Sequence, residues 1–320
     1  MSLVAIAGSG LAELTCARLL ASRGHRFRLA PEPATPAGSR PLLLNRPTLD
    51  LLDSLWGGGL LDGTWELGHR HVTWGGGPAE RFPQPARVVD GTVLAARMRE
   101  RLGPGHPDGE DPLWTVTAVA PDAAHRQCGR RELLAGTAQL RPGGDERTAR
   151  LATTALGWVH LTPLGAGRCL AQAMVPGPAA DPAALLARLL DQTGSLSVLL
   201  LPPRTAVAVP AAPRLHPAPA LPPADGTGGL LTVGAGALRC DPLSGTGTAQ
   251  ALRTGILAAA VIDAAAVGTS ATALCAHYAA RLHGAFQEHL RSCARLYSPA
   301  FPDPAWQDEL AVPVGGHPHA

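Results

Sequence analysis

Two short stretches at opposite ends of this chain carry residue types able to hold a charged ligand. The first is Gly8-Ser9-Gly10, which follows an apolar run at residues 3–7 and precedes a helical pattern with apolar residues at 11, 14, 19 and 20. The second is the stretch GAGALRCDPLSGTG, residues 234–247, which runs into a long alanine-rich segment. In both, glycines sit where a helix begins, and a helix start presents backbone N–H groups and a partial positive charge to phosphate or to developing negative charge. In a G-x-G turn the first glycine permits the tight bend and the second lets the backbone approach a pyrophosphate. Glu13 stands at the third glycine position of G-x-G-x-x-G. There it suits the helix dipole yet places negative charge beside that pyrophosphate. In the second stretch Gly245 and Gly247 permit close backbone approach, Pro242 suits the turn before a helix, and Ser244 or Thr246 can cap it.

Other candidates for chemistry are sparse. Six cysteines, at 16, 128, 169, 240, 275 and 293, form no CxxC pair and read as buried thiols of a reducing compartment, with no metal site. His69 and His71 alternate on one strand face without a carboxylate nearby, and read as a surface hairpin. His277, His283 and His289 recur every six residues and rotate around their helix instead of converging on an ion. All 27 basic residues are arginine, so no mechanism that needs a lysine amine can operate.

The 320 residues are 46% hydrophobic, enough for a real core, and the net charge is +2. The scattered arginines predict neither a nucleic-acid groove nor an anionic membrane surface. The arginine, alanine, glycine and proline bias points to a GC-rich, bacterial source. The start lacks a signal-peptide pattern, and the run ILAAAVIDAAAVG is broken by Asp263, so the expectation is a cytoplasmic protein with no membrane span.

The elements that must position these residues follow from periodicity and breakers. Residues 3–30 read as strand, glycine turn, helix and strand, the length a parallel crossover needs. A helix is predicted around Leu49, Leu52 and Leu55, a hairpin over 69–85, a helix from about Asp90 to Gly103 and a strand at 113–120. The middle third is β-like, broken by one helix from about Pro182 to Gln192, as in an antiparallel sheet of its own. Residues 210–229 read as a Pro/Ala/Gly return to the first domain. A buried strand over 230–238 and two long helices follow.

The stretch GAGALRCDPLSGTGTAQALRTGILAA resembles the C-terminal flavin motif of the para-hydroxybenzoate-hydroxylase-like flavoprotein superfamily. Its most specific element is Asp241-Pro242-Leu243-Ser244-Gly245-Thr246-Gly247. The stretches LLLNRPTLDLLDSLWG, GWVHLTPLG and HYAARLHGAFQEHLRSCARLY resemble the branch that holds tryptophan halogenases, geranylgeranyl reductases and the flavoprotein maturases of quinone-cofactor enzymes, in the same order. The resemblance implies an α/β fold, with a Rossmann-like FAD-binding domain assembled from residues 1–68, 86–125 and 226–270. An inserted antiparallel-sheet substrate domain would take 69–85 and 126–225, and a C-terminal helical segment 271–320. FAD would be held by Gly8, Gly10, Leu11, Glu32, Arg40, Asp241, Pro242, Ser244, Gly245, Thr246 and Gly247. Trp74, Trp158 and His160 would face the substrate.

Four positions depart from the family pattern. Glu13 replaces a glycine, Pro31 stands where the ribose-binding acid is expected with Glu32 beside it, Ala235 replaces an aspartate, and Gly91 replaces an arginine. The family's ADG-like signature is reduced to Ala120-Pro121-Asp122. Each missing polar interaction with the cofactor costs on the order of 1 kcal/mol, which predicts weak FAD binding unless other interactions compensate. The implied activity is monooxygenase-type hydroxylation of an aromatic, with tryptophan, free or within a peptide or protein, as the candidate substrate. Halogenation is excluded by the absence of lysine and of the WxWxIP signature. No second nucleotide fingerprint is present, so electrons would come from transiently bound NAD(P)H or a separate reductase. The alternative is a degenerate flavoprotein fold kept as an accessory or binding subunit.

Overall fold

The computed structural model describes residues 3–29, 41–106, 111–119, 125–201, 203–222 and 229–311. The chain opens with β1 (Leu3–Ile6), α1 (Leu11–Ser22) and β2 (Arg26–Leu29), a right-sized crossover whose two strands pair in parallel. Then come β3 (Pro41–Asn45), α2 (Arg46–Trp56), the hairpin β4 (Trp65–Thr73) and β5 (Glu80–Asp90), α3 (Gly91–Leu102) and β6 (Trp114–Thr117). Asn45 and Asp90 cap α2 and α3, each accepting an N–H from a threonine of the first turn.

The middle section holds β7 (Arg126–Gln127), β8 (Glu132–Leu140), β9 (Thr148–Thr153), β10 (Trp158–Gly165), β11 (Arg168–Val175), α4 (Pro182–Gln192), β12 (Leu200–Leu201), β13 (Val207–Pro210), β14 (Arg214–Leu215) and β15 (Ala220–Leu221). The last part comprises β16 (Gly229–Thr232), α5 (Gly234–Ala237), β17 (Leu238–Arg239), α6 (Gly247–Ala266), α7 (Ala271–Ala300) and α8 (Pro304–Leu310).

Among the described residues the strands form three sheets. The first runs β15-β16-β6-β1-β2, parallel except for β15 at one edge. The second has nine strands, in the order β12-β8-β11-β10-β9-β4-β5-β3 with β13 also on β8, and is antiparallel except where β4 meets β9. A small sheet of β17, β14 and β7 joins the two ends of the middle section. Helices α1, α6 and α7 cover the parallel sheet, with Ile6, Leu20, Val116, Leu231, Ile262 and Phe286 in one core. Tyr278 of α7 ties itself to that sheet by donating to the Thr232 carbonyl at 2.8 Å.

Strand alternation sorts the second sheet. Val159, Leu161, Ala171 and Ala173 face Leu186, Leu189 and Leu190 of α4, whereas Trp158, His160, Thr162, Leu170 and Gln172 point the other way, into a cavity.

Three expectations change. The large sheet reaches beyond 69–85 and 126–225: it also takes 41–45, 65–68 and 86–90, because β5 is long enough for its end to pair with both β3 and β4. The strand expected over 230–238 stops at Thr232, because Gly234 adopts φ +57° and turns the chain into α5. The apolar run that Asp263 interrupts belongs to a twenty-residue helix, α6, long and apolar enough to cross a membrane. In the fold α6 packs on α1, and Ala249, Leu252, Ala258, Ala259, Val261 and Ile262 along its length are buried.

Gly255 sets how closely α1 and α6 approach: a Cβ there would run into the Ala12 carbonyl oxygen. Glycine to alanine inside an ordinary helix stabilises by about 0.5–1 kcal/mol. Where the two helices touch here, overpacking reverses the sign, so Gly255→Ala lowers the unfolding free energy by about 1–3 kcal/mol in urea titrations. A gain in stability would show that the two helices are not seated backbone to backbone.

Candidate active site

A cavity of about 680 Å³ lies where the carboxyl ends of the parallel strands meet the inner face of the large sheet. This is the crevice in which open parallel sheets place their ligands. Gly10, Leu11, Ala12 and Glu13 line one end, residues 241–245 with Gly247 line another, and Arg70, Trp158 and His160 form part of the sheet wall.

The 241–247 turn is held from below by a buried carboxylate. Asp241 is 1% exposed. Its Oδ2 accepts from Arg131 Nε at 2.7 Å, and its Oδ1 accepts from the Leu243 N–H and the Tyr297 hydroxyl, each at 2.9 Å. Tyr297 in turn accepts from the Trp158 indole N–H at 2.8 Å, and the Asp241 N–H donates to His289 Nε2 at 2.7 Å. Arg131 is equally buried and also faces Glu309, which accepts the N–H groups of Arg130 and Arg131. Burial pushes the Tyr297 hydroxyl pKa well up and moves His289 down, so His289 serves as a neutral acceptor.

That network shapes the turn. Asp241 caps the 3-10 turn Pro242–Ser244, and Gly245 closes it at φ +60°, a left-handed conformation suited to glycine. The expected capping of α6 by Ser244 or Thr246 is not what forms. The Ser244 hydroxyl is 2.8 Å from both the Asp241 carbonyl and the Thr246 hydroxyl, and neither side chain caps the helix. The turn itself consumes these hydroxyls, so the first N–H groups of α6 keep no side-chain partner and lie beside the cavity. A Cβ on Gly247 would meet open space there.

At the other end Glu13 is 3% exposed, and its carboxylate folds back over Gly8 and Gly10. Its Oε1 accepts from the Ala118 N–H at 2.9 Å, whereas Oε2 is buried without a partner. Burial raises its pKa, opposed by the N–H groups of Glu13, Ala118 and Gly10.

The sheet wall is apolar with a polar island. His160 Nδ1 lies 3.2 Å from the Thr162 hydroxyl, and its Nε2 is buried without a partner. Burial first, then the nearby Arg70, pushes its pKa down to about 3, so the imidazole is neutral. Arg70 Nε is likewise buried and unpartnered, and burial lowers the pKa of its guanidinium. Two such unsatisfied nitrogens in one wall leave polar capacity for a ligand.

The structure therefore brings together Gly10, Leu11, Asp241, Pro242, Ser244, Gly245 and Gly247 with Trp158 and His160 around one cavity; Gly8 packs against Glu13, and the Thr246 hydroxyl bonds to that of Ser244. Trp74 is not among them. Its ring meets Phe301 and Tyr297 edge-on and its N–H donates to the Leu296 carbonyl, because β4 delivers it to the C-terminal aromatic cluster. Glu32, Pro31, Arg40 and the 120–122 remnant lie outside the described residues. Sequence reading misses Arg70, Arg131, Tyr297 and the use of His289 as an acceptor. Only the pairing of distant segments reveals them. No cluster of three His, Cys, Asp or Glu side chains that could hold a metal occurs among the described residues.

No family model and no curated protein matches the chain. Solved structures do. QhpG, a peptidyl tryptophan dihydroxylase essential for tryptophylquinone cofactor biogenesis, superposes with a TM-score of 0.80 at 20% identity, over 100% of this chain and 80% of that one. The flavin-dependent halogenase CmlS gives 0.76 at 17%, over 98% and 68%, and Klebsiella pneumoniae HpxO complexed with FAD and uric acid gives 0.67 at 15%, over 97% and 92%. The chain thus has the fold of these flavoproteins, a Rossmann-type α/β unit joined to a large β-sheet with C-terminal helices.

Replacing Arg131 by methionine leaves the Asp241 carboxylate buried and unpaired. Breaking such a pair costs about 3–5 kcal/mol, to be read as a lower midpoint in chemical denaturation. A decrease under about 1 kcal/mol would show that the pair does not secure the turn.

Proposed function

We propose that this chain is an FAD-dependent monooxygenase that hydroxylates an aromatic group, tryptophan foremost. The observation that carries the reading is the pairing, across one cavity, of an uncapped α6 N-terminus with an apolar wall bearing two buried nitrogens without partners, Arg70 Nε and His160 Nε2. The likeness in fold to a peptidyl tryptophan dihydroxylase and to FAD-bound HpxO supports it.

At the flavin end the residues fit FAD: the open space over Gly247 and the free first-turn N–H groups of α6 suit an isoalloxazine edge that becomes negative on reduction. Gly10, Leu11, Asp241, Pro242, Ser244, Gly245 and Gly247, which line the cavity, would hold it. At the other glycine turn the Glu13 carboxylate lies against Gly8 and Gly10. When bound, FAD would supply the activation of dioxygen and the transfer of one of its oxygen atoms to an electron-rich ring, the other leaving as water with two electrons from the reductant.

The chain's own part is positional. Leu67, Ala149, Leu151 and Trp158 exclude water from the ring of the substrate. Arg70 and the neutral His160 orient it through a carbonyl or carboxylate. The α6 dipole favours the reduced, anionic cofactor. Electrons come from a transiently bound nicotinamide or a separate reductase, and halogenation is not the reaction, for want of a lysine. The substrate enters as a small aromatic or as a side chain of a peptide or protein. The six free thiols suit the cytoplasm.

The accessory-subunit reading rests on Glu13, on Gly91 and on Ala235, which lines the cavity where the resembling superfamily has an aspartate. One experiment separates the two. Purified protein is given FAD, a reductant and a tryptophan-containing peptide, and the product is weighed. Addition of one or two oxygen atoms, abolished in Gly247→Val, is expected; oxygen consumption that yields only hydrogen peroxide, or none at all, favours the accessory subunit. A second variant, Arg70→Ala, raises KM at least tenfold with a smaller change in kcat, whereas unchanged KM removes Arg70 from the substrate wall.

A further inference from the structure

The room that Gly8 and Gly10 leave by lacking side chains is already filled. A Cβ on Gly8 would overlap Glu13 Oε1, and one on Gly10 would fall 2.6 Å from Oε2. The Ala118 N–H donates to this carboxylate, and the backbone N–H groups of Glu13 and Gly10 act with it to lower a pKa that burial raises. Those of Gly10 and Glu13 belong to the helix start that otherwise holds a phosphate. Glu13 lines the cavity, and its Oε2 is buried without a hydrogen-bond partner. Burial outweighs those donors, so the carboxyl pKa is raised.

We propose that Glu13 is a built-in occupant of the dinucleotide phosphate seat, so that FAD enters only by displacing it and is held as an exchangeable, not a resident, cofactor. This rests on the FAD reading above. Pyrophosphate and carboxylate cannot share the seat, since both are anions and both use the same N–H donors. The other end of the cavity, where the 241–247 turn meets the ring, is unaffected.

Equilibrium dialysis with FAD against wild type, Glu13→Gly and Glu13→Gln tests this. Glu13→Gly empties the seat, and the neutral, isosteric Glu13→Gln keeps an acceptor for the Ala118 N–H and protects the fold. Glu13→Gly is expected to bind FAD at least tenfold tighter than wild type, with Glu13→Gln between them. A wild type that binds as tightly as Glu13→Gly overturns the role of Glu13 and leaves the FAD reading intact. Failure of all three folded proteins to bind FAD overturns the FAD reading and this inference with it.

Discussion

A carboxylate taken out of water must recover in hydrogen bonds what it loses in hydration, and Asp241 does so through Arg131, Tyr297 and the Leu243 N–H. Each partner comes from a different part of the chain. Arg131 precedes the large sheet, Tyr297 sits near the end of α7, and the Leu243 N–H belongs to the turn. This buried carboxylate thereby ties three separate pieces of the chain to one another, among them the turn that opens α6. The Trp158 N–H extends the network into the sheet wall. The two faces of the cavity are consequently positioned by a single chain of hydrogen bonds.

The C-terminal helices complete this arrangement from outside. Tyr297, Phe301 and Trp306 stack with ring centroids 4.9–5.8 Å apart, and Trp74 closes the cluster edge-on. Glu309 of α8 accepts the N–H groups of Arg130 and Arg131 and so holds the strand start from which Arg131 reaches inward. Helices remote from the cavity thus decide where its floor lies. At the opposite end the approach of α1 to α6, limited by Gly255, sets the distance between the two glycine turns.

Much of this is legible in the residue order because local chemistry dictates it. The strand-turn-helix at residues 3–22 and the Asp-Pro-Leu-Ser-Gly-Thr-Gly turn are both apparent, since glycine, proline and apolar periodicity act over a few residues. What cannot be read depends on pairings across the chain. His160 is visible as a strand residue, but Arg70 joins it only because β4 and β10 both flank β9. Trp74 lies on a plausible face, yet the cluster around Phe301 claims it. His289, whose spacing does not suit a metal, proves to be the acceptor for the Asp241 backbone. Glu13 stands out in the sequence as a departure, although its folding back over Gly8 and Gly10 depends on the Ala118 N–H more than a hundred residues away. The capping of α6 eludes sequence reasoning for a related reason: the hydroxyls of Ser244 and Thr246 bond to each other.

A crystal structure of the chain grown with excess FAD would decide whether the two glycine turns hold one dinucleotide between them. The isoalloxazine is expected against the 241–247 turn, the phosphates over Gly8 and Gly10, and the Glu13 side chain moved out of that seat. A dinucleotide bound elsewhere, or crystals in which saturating FAD leaves the cavity without flavin and Glu13 in place, would contradict this assignment.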